Sequence, residues 1–238
     1  MRRFYAPKEN FSTDTISLSL DETRHLRDVL RLRTGEKVNV FDGTGREFWC
    51  EIETITKKET ILKIIKEISP SAPESALDLT LAVALLKGEK FDLVIQKAVE
   101  LGVTKFVPVN TRRSDVKLKD TEKKLERWQK IALEAAKQSG RAKVMPIEMP
   151  KEFAEVIKSA DGAKILFAER GGESFDAIHS NKKIIAFVGS EGGWEDAEIE
   201  SAKANGFQII TFGGRILRAE TAVMMVAGLL QNHFGDLN

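Results

Sequence analysis

One cysteine, three histidines and one tyrosine in 238 residues remove several chemistries at the outset. Cys50 has no second cysteine with which to close an internal disulfide. With only His25, His179 and His233 beside it, no metal-ligand spacing arises, so no metal is expected. Apolar runs long enough to cross a bilayer are missing as well. Met1-Arg2-Arg3-Phe4-Tyr5-Ala6-Pro7-Lys8 carries paired arginines with no apolar stretch behind them, unlike a secretory signal. A reducing cytoplasm is the expected compartment. The chain has 17 glycines, yet neither G-x-G-x-x-G nor a Walker A loop. Dinucleotide and nucleoside triphosphate binding, the two commonest readings of a glycine-bearing α/β protein, therefore fall away.

Net charge is also scarce, at +1, but its distribution is uneven. Residues 1–70 carry +1, residues 71–104 carry −2, residues 105–143 carry +7 and residues 144–238 carry −5. A local positive excess in a nearly neutral chain fits a polyanionic partner on one face. A solvated basic helix fits it equally well.

Two patterns follow one another along the chain. Strand-like runs recur at 15–18, 37–41, 46–54 and 60–68, with Asp42-Gly43 and Gly45 turning the chain between two of them. A helical segment at 21–33 interrupts them. Its Leu26, Val29 and Leu30 form an apolar stripe, while Arg24, Arg27 and Arg31 recur on another face. Residues 1–70 thus read as a small antiparallel β-barrel carrying a helix with a basic edge. Pro70-Ser71-Ala72-Pro73-Glu74 reads as a linker.

From 74 to 238 strands alternate with helices, which implies a mostly parallel α/β sheet covered on both faces. The strands are expected at 77–85, 105–109, 164–168, 183–188 and 207–212, and the helices at 90–101, 121–139, 195–204 and 219–234. Gly102 and Gly140 stand where helix C-caps belong. The last helix is apolar nearly all round and is expected to be buried, in the domain or against another subunit.

Two glycine-bearing loops carry the functional signal. Phe187-Val188-Gly189-Ser190-Glu191-Gly192-Gly193-Trp194 and Phe212-Gly213-Gly214-Arg215-Ile216-Leu217-Arg218-Ala219-Glu220-Thr221-Ala222 each follow a β-branched run and lead into a helix. Glycines there let backbone amides approach a ligand closely, at strand C-termini. The pair resembles the cofactor-binding signature of the knotted SPOUT class of methyltransferases. Within that class it resembles the ribosomal RNA small subunit methyltransferase E family, which methylates N3 of a uridine in 16S ribosomal RNA. That family shows a Gly-Pro-Glu-Gly-Gly-aromatic loop and a Leu-Gly-x-Arg-Ile-Leu-Arg-x-Glu-Thr-Ala loop. Gln96-Lys97-Ala98-Val99-Glu100-Leu101-Gly102-Val103, Thr111-Arg112-Arg113-Ser114 and Glu134-Ala135-Ala136-Lys137-Gln138-Ser139-Gly140-Arg141 resemble further stretches. So do Arg2-Arg3-Phe4 and His25-Leu26-Arg27-Asp28-Val29-Leu30-Arg31. Ser190, Phe212 and Ala219 depart from the family's usual proline, leucine and threonine.

The resemblance implies a C-terminal trefoil-knotted α/β domain, a PUA-like RNA-binding barrel, a homodimer and S-adenosylmethionine as cofactor. It places the cofactor against Ala168, Glu169, Gly189, Ser190, Glu191, Gly192, Gly193, Phe212, Gly213, Ile216, Leu217 and Arg218. Arg218 is the first candidate for a catalytic contact; an ion pair with Glu220 or Glu191 is its structural alternative. Glu191 is a candidate base, or else it orders its own glycine loop. Arg3, Arg24, Arg27, Arg31, Arg112, Arg113 and Arg141 are candidate contacts to 16S ribosomal RNA or the small ribosomal subunit. Another RNA position, or a non-catalytic ribosome-assembly factor, remains an alternative. A nicotinamide oxidoreductase would need the missing dinucleotide fingerprint.

Overall fold

The alternation in the first 70 residues resolves into a five-stranded sheet in the computed structural model, which describes residues 2–114, 116, 120–179 and 182–237. By internal contacts the chain divides into two units, 1–74 with 136–144, and 75–135 with 145–238. In the first, β1 (Arg3–Tyr5), β2 (Thr15–Leu18), β3 (Lys37–Phe41), β4 (Glu47–Ile55) and β5 (Thr60–Ile68) are ordered β1-β3-β4-β5-β2. All pairs are antiparallel except β1, which joins β3 in parallel. Inward residues Phe4, Ile16, Leu18, Val38, Val40, Cys50, Ile52 and Leu62 form one core with Leu26 from the helix.

That helix departs from expectation. Ser19 caps α1 (Leu20–Arg24) by accepting from the Glu22 amide, and the chain continues as a single π-helical turn, His25–Val29. Arg31, at φ 54°, then leaves the helix. The wider turn rotates the side chains past their α-helical positions, so Leu26 is buried while Val29 is 66% exposed. The Pro70–Glu74 stretch is bonded into this unit: the Ser71 amide donates to Glu47 at 3.1 Å and the Ala72 amide to the Gly140 carbonyl at 3.0 Å.

The second unit alternates strand and helix. It comprises β6 (Asp78–Ala84), α2 (Lys90–Glu100), β7 (Lys105–Asn110), most of α3 (Thr121–Ser139), β8 (Lys151–Glu152), α4 (Phe153–Ser159), β9 (Ala163–Phe167), β10 (Lys183–Val188), α5 (Asp196–Ala204), β11 (Gln208–Ile210) and α6 (Ala219–Phe234). The sheet runs β11-β9-β10-β6-β7-β8, and every pair is parallel. Strands covered on both faces need no alternation, and β6 and β10 are buried almost continuously. β8 and α4 escaped the sequence reading because two and seven residues are too few to show a period.

α2 and α6 pack together. Buried Gln231 of α6 donates to the Gly102 carbonyl at 2.8 Å, where Gly102 (φ 73°) ends α2. α6 buries Ala219, Val223, Val226, Ala227, Leu230 and Gln231 but leaves Met225 37% exposed. β11 is bonded on both edges. One edge pairs with β9. Along the other, the Glu173 amide donates to the Ile209 carbonyl and the Thr211 amide to the Glu173 carbonyl, both at 2.9 Å. A Cβ on Gly172 would lie 2.7 Å from the Ile209 oxygen, so only glycine admits this approach.

Candidate active site

β11, β9 and β10 are neighbours in one parallel sheet, so the loops that leave them emerge side by side at its C-terminal end, the usual ligand position in such sheets. Aromatic contacts join the three. The Trp194 indole donates to the Phe167 carbonyl at 2.9 Å, tying the loop after β10 to the end of β9. A Cβ on Gly189 would stand 3.1 Å from that indole. Phe212, after β11, stacks on Phe167 with centroids 5.2 Å apart and planes at 22°.

The 189–193 loop is a tight turn. The Gly193 amide donates to the Ser190 carbonyl at 2.9 Å with Gly193 at φ 67°, and a Gly193 Cβ would lie 3.0 Å from the Glu169 carboxylate. Ala168 is buried beside it and donates to the Ile210 carbonyl. Beyond Phe212 the chain is open. Gly213 and Gly214 have nothing within 4 Å of a built Cβ, and Ile216 is 92% exposed. Among the described residues, no backbone amide from Phe212 to Arg218 donates a hydrogen bond within the chain. Unpaired amides on a glycine loop form a cradle suited to a polar ligand held by main chain.

Electrostatics at the site centre on a lysine that the sequence reading missed. Lys90, at the start of α2, bonds Glu191 at 2.9 Å and lies 3.8 Å from Glu220. Burial pushes the Glu191 carboxyl up, but the Lys90 ammonium and backbone amides outweigh it and hold it below the usual carboxylate range. Both carboxylates once considered for Arg218 thus face Lys90 instead. Arg218 itself is exposed at the N-terminus of α6, with no ion pair among the described residues. Arg170 bonds Glu169 and, at 2.6 Å, Asp196.

The seven candidate RNA arginines divide sharply. Arg113 donates to the Gly192 carbonyl at 3.2 Å, and Ser190 Oγ donates to the Arg113 carbonyl at 3.1 Å. Arg113 lines a 520 Å³ cleft with Lys87, Lys90, Glu191 and Gly192. Arg112 is exposed, its guanidinium 3.8 Å from Glu195. In the first unit Arg24 and Arg31 are exposed, while Arg27 bonds Asp28 at 2.6 Å and the Thr56 carbonyl at 3.1 Å. Arg3 and Arg141 are different. Arg3 has 8% side-chain exposure and bonds Glu47 and the carbonyls of Ala136 and Arg141. Arg141 is buried against Glu74 at 2.6 Å. Neither presents a free guanidinium to a phosphate, so burial corrects both assignments. The basic excess of 105–143 is also partly consumed internally, by Arg127–Asp92, Lys137–Glu22 and Lys105–Glu148. Lys117 and Lys119 of that stretch lie outside the described residues.

A parallel sheet with glycine loops at neighbouring strand ends, in a chain that also carries a small β-unit, is the arrangement of an RNA methyltransferase. Residues 73–231 match the RNA methyltransferase domain family and residues 19–65 the RNA methyltransferase PUA domain. The chain belongs to the ribosomal RNA small subunit methyltransferase E family. The protein of that name from Mesomycoplasma hyopneumoniae is 38% identical over 95% of this chain and 97% of its own. The Synechocystis protein is 34% identical over 92% of this chain and 74% of its own. The crystal structure of the Neisseria gonorrhoeae family member bound to S-adenosyl methionine superimposes with a TM-score of 0.92, at 34% identity and full coverage of both chains. A putative methyltransferase from Legionella pneumophila, in complex with the bound cofactor SAM, gives a TM-score of 0.91 at 31% identity, covering 99% of this chain and 98% of its own.

Proposed function

We propose that this protein transfers a methyl group from S-adenosylmethionine to N3 of a uridine in 16S ribosomal RNA. The observation that carries the reading is the meeting of three loops at neighbouring strand ends, one with its amides unpaired from Phe212 to Arg218, in a chain of this family. Gly189, Ser190, Gly192 and Gly193 after β10, and Phe212, Gly213, Ile216 and Leu217 after β11, would hold the cofactor, with Ala168 and Glu169 as a third wall. S-adenosylmethionine, when bound, supplies a methyl group already activated on a sulfonium.

Placement, exclusion of water and handling of the imide proton fall to the protein. Uracil N3 holds its proton at neutral pH, and its loss spreads negative charge to O2 and O4. An exposed guanidinium at the N-terminus of α6, free of carboxylates, suits Arg218 to stabilise that charge. Glu191, ionised and bonded to Lys90, orders its loop rather than taking the proton, which is released to bulk water as the uracil anion forms and before that anion takes the methyl group.

Arg24, Arg27 and Arg31 on the first unit, and Arg112 and Arg113 on the second, supply RNA contacts, whereas Arg3 and Arg141 hold the fold of the first unit. The apolar residues left exposed on α2 and α6, Leu93 and Met225, suit the surface on which a second copy docks. The doubly bonded β11 suits the threaded C-terminal segment of a trefoil knot.

The test is Arg218→Ala, assayed for methyl incorporation and for RNA binding. Methyl transfer is expected to fall about 100-fold or more with RNA affinity little changed. Collapse of binding with turnover on bound RNA intact would overturn the assignment. Calorimetric titration with S-adenosylmethionine comes first, since folded, cofactor-free protein that fails to bind it would be an assembly factor instead.

A further inference from the structure

Lys90 stands where its own helix disfavours it. The first turn of a helix carries partial positive charge, which repels a cation, yet Lys90 is the first residue of α2. Two carboxylates from elsewhere in the same unit offset that repulsion. The Lys90 ammonium bonds Glu191, in the loop after β10, at 2.9 Å, and lies 3.8 Å from Glu220, in the first turn of α6. We propose that Lys90 is a positioning residue for methyl transfer. By holding both carboxylates it sets the start of α6 against the loop after β10 and so places Arg218, an inference that rests on the function proposed above.

The start of α6 is a place that needs such a hold. Its N-cap is Arg218, whose side chain has no oxygen with which to accept from the first-turn amides. The segment leading into it is open, with Ile216 92% exposed. That segment begins at β11, and β9 and β10 lie between β11 and β6, the strand that precedes α2. Its near end is set by Phe212 stacked on Phe167. The contact with Lys90 sets its far end, two residues beyond Arg218, so a shift of Glu220 carries Arg218 with it.

The other half of the bridge is firmly built. The Glu191 carboxylate also accepts from its own amide and from that of Lys87, so the ammonium it binds is held toward Glu220. The Glu220 side chain is only 14% exposed, and its charge depends on a partner more than a surface carboxylate would. Lys90 itself is 38% exposed. A pair so open to water adds little to global stability, so its effect belongs in the placement of α6 rather than in melting.

The experiment compares wild type, Lys90→Met, Lys90→Arg, Glu220→Gln and Lys203→Met, the last removing an ammonium that pairs with Glu200 on α5. Amide hydrogen exchange is first followed in cofactor-free protein over residues 189–193 and 219–223. Lys90→Met should speed exchange in both segments about two- to fivefold, Glu220→Gln in the second alone, and Lys203→Met in neither. Methyl transfer to a 16S ribosomal RNA fragment is then assayed. Lys90→Met should lower kcat about tenfold or more, with the KM for cofactor moving less and the melting temperature staying within about 2 °C of wild type. Lys90→Arg should recover most of the loss. In an Arg218→Ala background Lys90→Met should add little, because a residue that acts through another is not additive with it. Wild-type exchange in both segments of Lys90→Met, or an undiminished loss of turnover in the Arg218→Ala background, overturns the proposal. Wild type that binds no S-adenosylmethionine would sink the methyltransferase reading instead, while the exchange in cofactor-free protein still decides whether Lys90 holds the start of α6.

Discussion

Replacing Trp194 by phenylalanine should loosen two walls of the proposed cofactor site at once. The indole is 1% exposed and lies against Phe153 and Phe187, with ring centroids 5.2 and 6.4 Å away. Its single polar contact is the 2.9 Å bond to the Phe167 carbonyl. Phenylalanine keeps an aromatic ring in the core but cannot donate, which removes a buried partner from that carbonyl. Such a loss costs about 1–3 kcal/mol, and the smaller ring leaves a void that adds to it. For a chain of this size each kcal/mol lowers the melting temperature by about 2–4 °C, so a drop of about 2–12 °C is expected by scanning calorimetry. Because Phe167 leads into Ala168 and Glu169, and Gly189 rests on the indole, part of the penalty should reach cofactor binding. Each kcal/mol that does so weakens binding about fivefold. A variant that melts within 1 °C of wild type and binds S-adenosylmethionine equally well would refute the idea that this bond joins the walls.

Glu47→Gln should destabilise the first unit by about 3–5 kcal/mol, because it leaves the nearly buried Arg3 without its counter-ion; chemical denaturation read by circular dichroism checks this. Burial pushes the Glu47 carboxyl up, but bonds from Arg3, Asn39 and Ser71 outweigh it and hold it below the usual range. Its folded value thus lies under its unfolded one, so its stabilising effect is present above the unfolded value, near pH 4.3, and is lost as pH falls through the folded value. Wild type should therefore lose stability in acid more steeply than Glu47→Gln, and parallel profiles would count against this. Gly192→Ala brings a Cβ to 2.9 Å from Arg113. It should raise the Kd for both cofactor and RNA in separate titrations, and unchanged values for both would count against a close contact between the two loops.

Much of the fold can be read from the residues because it is locally encoded. β10 and α3 are visible as an apolar run and as an amphipathic repeat, and Gly102 and Gly140 carry the positive φ that ends a helix. β1 has only three residues, too few for a pattern, although Phe4 is fully buried there. The π-helical turn at His25–Val29 has no compositional mark either. At the site, the glycine loops are contiguous and therefore legible. The side chains that hold them are not: Lys90 meets Glu191 across 101 positions, and Ser190 reaches Arg113 across 77. Arg3 and Arg141 resemble nucleic-acid arginines by charge alone, because their partners Glu47 and Glu74 stand 44 and 67 positions away.

The double bonding of β11 bears on how the protein avoids self-association through its sheet. An edge strand ordinarily offers a row of unpaired amides and carbonyls on which a foreign strand can build. Here Glu173 occupies that row with its own amide and carbonyl, and Gly172 lets it come close enough to do so. At the opposite edge β8 is only two residues long, too short a template for another chain. Neither border of the sheet invites extension.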